Sequence, residues 1–209
     1  MTGRASGRVV VRRFGEADLP DFLAYQGHPA VREHQPGSAM TAAQAAAFVA
    51  EQARRNPDER DAWHGRVIEH VADRRVIGDV GIWRPAQHGG PVVADLGFQL
   101  DPAYHGQGYA REAVQVFLQA AFRDLGLDVV TASCDEANTR SWRLLERMGM
   151  QLQDRSGEQR RYAVTKEQWR RTADRDRSSD APGRRARTDP REVQWHGDAT
   201  ERSHRIEPR

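Results

Sequence analysis

The chain has 209 residues, 38% of them hydrophobic, a mean hydropathy of −0.81 and a net charge of +2. This suits one folded domain with an appendage, and no apolar run reaches the roughly 18 residues that would span a bilayer. One cysteine, Cys134, excludes an internal disulfide framework, and the eight histidines show no paired spacing suited to a metal. With no signal-peptide core at the N-terminus, a cytoplasmic protein without membrane or metal is expected. Residues 171–209 hold ten arginines against eight acids, and the preceding 170 balance at 22 of each, so the excess base belongs to the tail.

Val9–Phe14 reads as an opening strand. Glu16–Tyr25 reads as a short helix with an acidic first turn, and the polar, proline-bearing stretch His28–Ala39 as a loop. Thr41–Arg55 is a helix: Thr41 is its N-cap, Ala45, Phe48, Val49 and Gln52 recur at helical spacing, and Asn56-Pro57 stops it. Trp63–Val71 and Val76–Trp83 form two strands joined by a hairpin-like turn. After the loop Arg84–Pro91, a strand runs from Val92 to Leu100 and ends at Asp101-Pro102. A long helix from about Gln107 to Leu125 carries one apolar stripe of Ala110, Val114, Phe117, Leu118, Ala121 and Leu125. Val129–Cys134 is a buried strand in which Cys134 packs into the core. Asn138–Met148 is a helix closed by Gly149, and a final hairpin turns around Ser156-Gly157. From Arg171 the composition cannot offset the entropy of ordering, so 171–209 is expected to be a disordered tail. Its interspersed acids argue against binding nucleic acid.

The segment His105-Gly106-Gln107-Gly108-Tyr109-Ala110 stands where the long helix begins. Small residues there let backbone N–H groups approach an anion, and the helix dipole adds roughly half a positive charge. It is neither a dinucleotide fingerprint, because Arg111 stands at the third glycine position, nor a Walker loop, because no Gly-Lys-Ser/Thr occurs.

Four segments in order then matter together: Val76-Ile77-Gly78-Asp79-Val80-Gly81; Asp95-Leu96-Gly97-Phe98-Gln99-Leu100-Asp101-Pro102; Tyr104 to Ala113; and Asn138-Thr139-Arg140-Ser141-Trp142 running on to Met150. With the order of strands and helices they resemble the GNAT superfamily of N-acetyltransferases, in the branch that contains the ribosomal-protein N-terminal acetyltransferases RimJ and RimL. The resemblance covers residues 8 to about 170. It implies an α/β (α+β) fold with one mixed, mostly antiparallel twisted sheet of about seven strands, splayed at its centre, and about four helices. The domains expected are an N-terminal extension 1–7, the acetyltransferase domain 8–170 and the tail 171–209. The family usually has Arg or Gln at His105, often Glu at Asp95, and in many members a tyrosine general acid at Leu145.

The resemblance implies acetyl-CoA as co-substrate, with no metal and no covalent enzyme intermediate. Backbone N–H groups of Gly106, Gln107, Gly108, Tyr109 and Ala110 would hold its diphosphate. His105 and Arg111 are further candidates, Arg111 being readable first as a solvated first-turn side chain. The strand Phe98, Gln99, Leu100 would bind the pantetheine arm and polarise the thioester carbonyl. Asp95 is the candidate base, acting directly or through water, and Ser141 the candidate acid for the departing thiolate, or else a cap or cofactor contact. Asn138 either contacts the pantetheine arm or fixes the turn before its helix. His34, Trp63, Trp83 and Asp95 are candidates for the acceptor site, the tryptophans being readable also as core. The acceptor is expected to be a primary amine, on a protein N-terminus or a small molecule, and the protein a monomer or homodimer. Two other functions remain open: a non-catalytic acyl-CoA-binding module, and ribosome or nucleic-acid association through the tail.

Overall fold

The structure is a computed structural model that describes residues 4–5, 7–86 and 89–179. Its strands are β1 (Arg4–Ala5), β2 (Val9–Arg12), β3 (Ala62–His70), β4 (Arg75–Arg84), β5 (Val93–Leu100), β6 (Val129–Asp135), β7 (Gln151–Ser156) and β8 (Gln159–Thr165). Its helices are α1 (Leu19–Gln26), α2 (Pro29–Arg32), α3 (Ala42–Arg54), α4 (Tyr109–Asp124), α5 (Thr139–Arg147) and α6 (Lys166–Ser179). The strands form one mixed sheet in the order β1-β2-β3-β4-β5-β6-β8-β7. Every pairing is antiparallel except β5 with β6.

Several elements differ from the sequence reading. The described residues hold eight strands and six α-helices, against about seven and four expected. Arg4–Ala5, placed in an extension, pairs with Val10–Val11 as an edge strand. α2 lies inside the expected loop: Pro29 opens it and His28 Nδ1 accepts from the Ala30 N–H at 3.1 Å. α6 runs through Arg171 to Ser179, into the expected tail; the remainder, 180–209, lies outside the described residues. Thr165 and Gln168 start α6 reciprocally, the Thr165 N–H donating to Gln168 Oε1 at 2.8 Å and the Gln168 N–H to Thr165 Oγ1 at 3.2 Å. Thr41 and Gln44 start α3 in the same way.

The sheet has a core on each face. On one, α1 and α3 cover Phe14, Phe22, Tyr25, Ala45, Val49 and Val67, with Phe22 and Phe48 stacked at 5.3 Å. On the other, the stripe of α4, with Leu145 of α5, Met148 just after that helix and Trp169 of α6, packs on Val80, Ile82, Leu96, Leu100 and Val130. Alternation puts Leu96, Phe98 and Leu100 of β5 on the α4 face and Asp95, Gly97 and Gln99 on the α1/α3 face. No helix among the described residues is long and apolar enough to cross a membrane.

Candidate active site

The sheet opens in its middle. β5 pairs with β6 only at Val93↔Val129, Ala94↔Val130 and Asp95↔Thr131, while its pairing with β4 continues to Leu100. The Asp101 N–H donates to the Ile77 carbonyl on β4 at 2.7 Å, and the Leu100 carbonyl, turned the other way, accepts from His105 Nε2 at 2.8 Å. By alternation, the N–H groups of Phe98 and Leu100 face the opening, whereas the backbone of Gln99 is turned toward β4. Of the three residues expected along the cofactor, Phe98 and Leu100 turn their N–H groups to the opening and Gln99 turns its backbone to β4.

The chain then turns sharply to the start of α4. Asp101 Oδ1 accepts from the Ala103 N–H at 2.9 Å and sets a single 3-10 turn over Pro102–Tyr104. Gly106 (φ 75°) and Gly108 (φ 88°) adopt left-handed conformations that side chains resist, and Gly108 is the N-cap of α4. A Cβ on Gly106 would meet nothing within 4 Å, so the loop is open to a ligand. Such alternation turns successive N–H groups into a concave anion-binding nest. Gln107 and Gly108 are exposed, Ala110 half-buried and Tyr109 buried, its hydroxyl 3.0 Å from His70 Nε2. Arg8, not anticipated from the sequence, braces the loop: it donates to the Gln107 carbonyl at 3.1 Å, pairs with Glu112 and lies 4.6 Å over the Tyr109 ring.

His105, expected beside the diphosphate, is engaged within the protein through both ring nitrogens. Its Nε2–H caps Leu100, and its Nδ1 faces Arg140 Nη1 at 3.5 Å. The imidazole is a clasp between the end of β5 and the start of α5. Arg111 is exposed beside the loop. Asn138 caps α5, its Oδ1 accepting from the Ser141 N–H at 3.1 Å. Ser141 is half-buried in the first turn of α5. Leu145 is 1% exposed, inside the core, so no acid works from that position. Burial pushes the Cys134 thiol up to about 11, in keeping with packing.

The α1/α3 face of the same strands carries the remaining candidates. Trp63, Trp83 and Asp95 stand in one cross-strand row, and Gly65, Gly81 and Gly97 in the next. The Trp63 indole lies across the glycine row: a Cβ would meet it at 2.6 Å from Gly81 and 2.9 Å from Gly97. The three glycines thus form a trough in which the ring rests, which makes Trp63 a wall of this face. Asp95 accepts from Thr131 Oγ1 at 2.8 Å, at the closed end of the opening. His34, in the segment after α2, reaches across to Asp135 at the end of β6, 3.4 Å away.

The sequence reading missed Tyr25, Asp79 and the side chain of Gln99. Asp79 is 3% exposed and accepts from the Tyr25 hydroxyl at 2.8 Å. Burial pushes its carboxyl up to about 7, against the opposing pull of the Tyr25 hydrogen bond. The signal was present, since Asp79 is the single acid in the apolar run Val76–Trp83. No cluster of three or more potential metal ligands occurs among the described residues.

The comparisons agree with this geometry. The chain is similar to the uncharacterized N-acetyltransferase YnaD of Bacillus subtilis (strain 168), 24% identical over 172 residues that cover 78% of this chain and 96% of the relative. Among solved structures it is similar to ribosomal-protein-S5-alanine acetyltransferase from Vibrio fischeri, with a TM-score of 0.67, 17% identity and coverage of 81% and 99%. It is also similar to Mycobacterium smegmatis RimJ in complex with CoA-disulfide, with a TM-score of 0.64, 18% identity and coverage of 81% and 90%. The family model for the acetyltransferase (GNAT) domain matches residues 8–151. With the opened sheet and the glycine nest at α4, that match makes the chain a member of the GNAT acetyltransferase family, acyltransferases that use acetyl-CoA.

Proposed function

We propose that this protein is an N-acetyltransferase of the RimJ/RimL-like branch that moves acetyl from acetyl-CoA to a primary amine by direct attack in a ternary complex. The observation that carries the reading is the parting of β5 from β6 directly beside the glycine nest. The residues present fit acetyl-CoA. The open loop at Gly106 to Ala110 offers N–H donors to a diphosphate, with Arg8 and Arg140 close by. Phe98 and Leu100 offer unladdered N–H groups to an extended arm and to the thioester oxygen, where fixed donors favour the developing charge.

The amine enters from the α1/α3 face, between Trp63, Trp83 and His34. Asp95 lies on this face of the same strand and acts there as acceptor ligand and base, directly or through water, with Thr131 fixing its carboxylate. An α-amino group, with a pKa of roughly 7.7–8.0, needs less help than a lysine-like amine at roughly 10.4. The nitrogen bonds to the acetyl carbon as the carbon–sulfur bond breaks. The departing sulfur, with a thiol pKa near 8.5, needs only a weak donor, the role given to Ser141. The acceptor is a protein N-terminus or a small-molecule amine.

A thiol-release assay over N-terminal peptides, polyamines and aminoglycosides tests this. Release is expected only with acetyl-CoA and an amine together. Failure of acetyl-CoA to bind at millimolar concentration, or binding without turnover across the panel, overturns it.

A further inference from the structure

Gln99 stands on the half of β5 that has left β6, with its side chain on the face from which the amine comes. Its Oε1 is buried without a hydrogen-bond partner. A buried carbonyl oxygen with no donor is costly, so its neighbourhood calls for an explanation. Directly across the ladder is Asp79, on the same face, and side chains so placed have Cβ atoms about 4.5–5.5 Å apart. Tyr25 holds Asp79 from the other side through the 2.8 Å hydrogen bond.

Resting on the function proposed above, we propose that Gln99 is an acceptor-binding residue, whose carboxamide takes one N–H of a primary amine in an orientation set by Asp79 and Tyr25. A neutral primary amine that aims its lone pair at the thioester carbon still has two N–H groups to satisfy. Gln99, on the parted half of the strand, takes one of them.

Asp79 decides which end of the carboxamide faces the amine. As a neutral acid it donates to the buried Oε1, the arrangement that satisfies the orphaned oxygen, and Nε2 is turned outward, where it repels a donor. As a carboxylate it accepts from Nε2, and a half-turn of the carboxamide presents Oε1 to the amine. No proton passes through the amide; Asp79 is a positioning residue. The groups that face Asp79 are few. α1 brings Tyr25, with Asp18 and Asp21 acting on the Tyr25 hydroxyl from the start of that helix; β3 brings Val67 and β5 brings Gln99. Burial pushes the Asp79 carboxyl up to about 7, so the two orientations exchange near neutral pH.

The test is steady-state kinetics of the full chain on the best amine of the panel, from pH 5.5 to 9, with Q99L and D79N. Q99L should raise KM for the amine about tenfold or more and leave KM for acetyl-CoA unchanged. The amine's own ionisation is common to all variants, so the profile of kcat/KM for the amine is divided by that of D79N. The ratio should fall below pH about 7. An unchanged amine KM in Q99L overturns the assignment, whatever D79N does, and a flat ratio overturns the part given to Asp79. Because Gln99 is only half-buried, Q99L is not exposed to the folding defect a core change risks, and circular dichroism accompanies both. Wild-type protein that binds acetyl-CoA and acetylates no amine overturns the proposed function and this assignment together; turnover with wild-type-like Q99L overturns this assignment alone.

Discussion

Asp79 and His64 are buried titratable side chains on neighbouring strands, and they pull stability in opposite directions with pH. Burial lowers His64 to about 4, with Arg84, Arg55 and Arg66 adding to the shift against the hydrogen bond to the Glu59 carbonyl. The folded state therefore binds fewer protons at His64 than the unfolded state between about pH 4 and 6.5, and stability rises with pH there. Asp79 is raised to about 7, so the folded state binds more protons than the unfolded between about pH 4 and 7, and stability falls with pH there. The two slopes oppose each other in the wild type. D79N should unmask the His64 slope and make stability climb more steeply with pH, by up to about 1.4 kcal/mol per pH unit. Urea unfolding at pH 4.5, 5.5 and 6.5 measures it; parallel wild-type and D79N curves would exclude it. Asp79 was legible as an acid in an apolar strand. Its partners were not, because Tyr25 and Gln99 come from elements 54 residues before and one strand beyond it.

At the scale of elements, α6 is the clearest case of local chemistry outweighing composition. Its second half, from Arg171, is rich in Arg and Asp and reads as the start of a disordered tail. Yet Thr165 and Gln168 cap it reciprocally, and Trp169, 6% exposed, stacks on Phe122 of α4 at 6.0 Å. One anchored indole and a satisfied first turn suffice to hold a helix whose sequence argues against burial. Trp169→Ala should cost about 3–5 kcal/mol, the range for deleting a buried aromatic. A thermal melt reads that as a drop of many degrees, and a change under 1 kcal/mol would mean that α6 does not close the core. The signal was available, since Thr-x-x-Gln before a buried aromatic is the same start read correctly at Thr41 for α3. α2 was not legible: four residues between prolines and glycines carry no period. The glycine loop was legible because its chemistry is local. The clasp by His105 was not, because it depends on Arg140, 35 positions away.

For the whole molecule, the order of elements was readable from periodicity, and the opening of the sheet only through the resemblance. Periodicity in β5 is that of any half-buried strand, and nothing in Asp95–Leu100 says that the neighbouring ladder stops after three rungs. Pairing is a non-local property, fixed here by where β6 leaves and by the turn that throws the chain into α4. That turn also decides the placement of function: both glycines of the nest, the cap at Asp101 and the His105 clasp follow within eight residues of the last β5 residue.

The parted ladder has a consequence for the exchange of amide protons with water. β5 is tied to β4 through every second residue, and its other residues face the opening. Hydrogen exchange along this one strand should therefore run odd-even: slow at Gly97 and Gln99, fast at Phe98 and Leu100, although all four share the same stretch of backbone. Added CoA should slow the fast pair and leave the slow pair where it was. Uniform protection from Gly97 to Leu100 in the free protein would mean that the strand is closed on both sides. The backbone thus carries a two-beat rhythm of guarded and unguarded protons, and it is the unguarded beat that keeps time with the ligand.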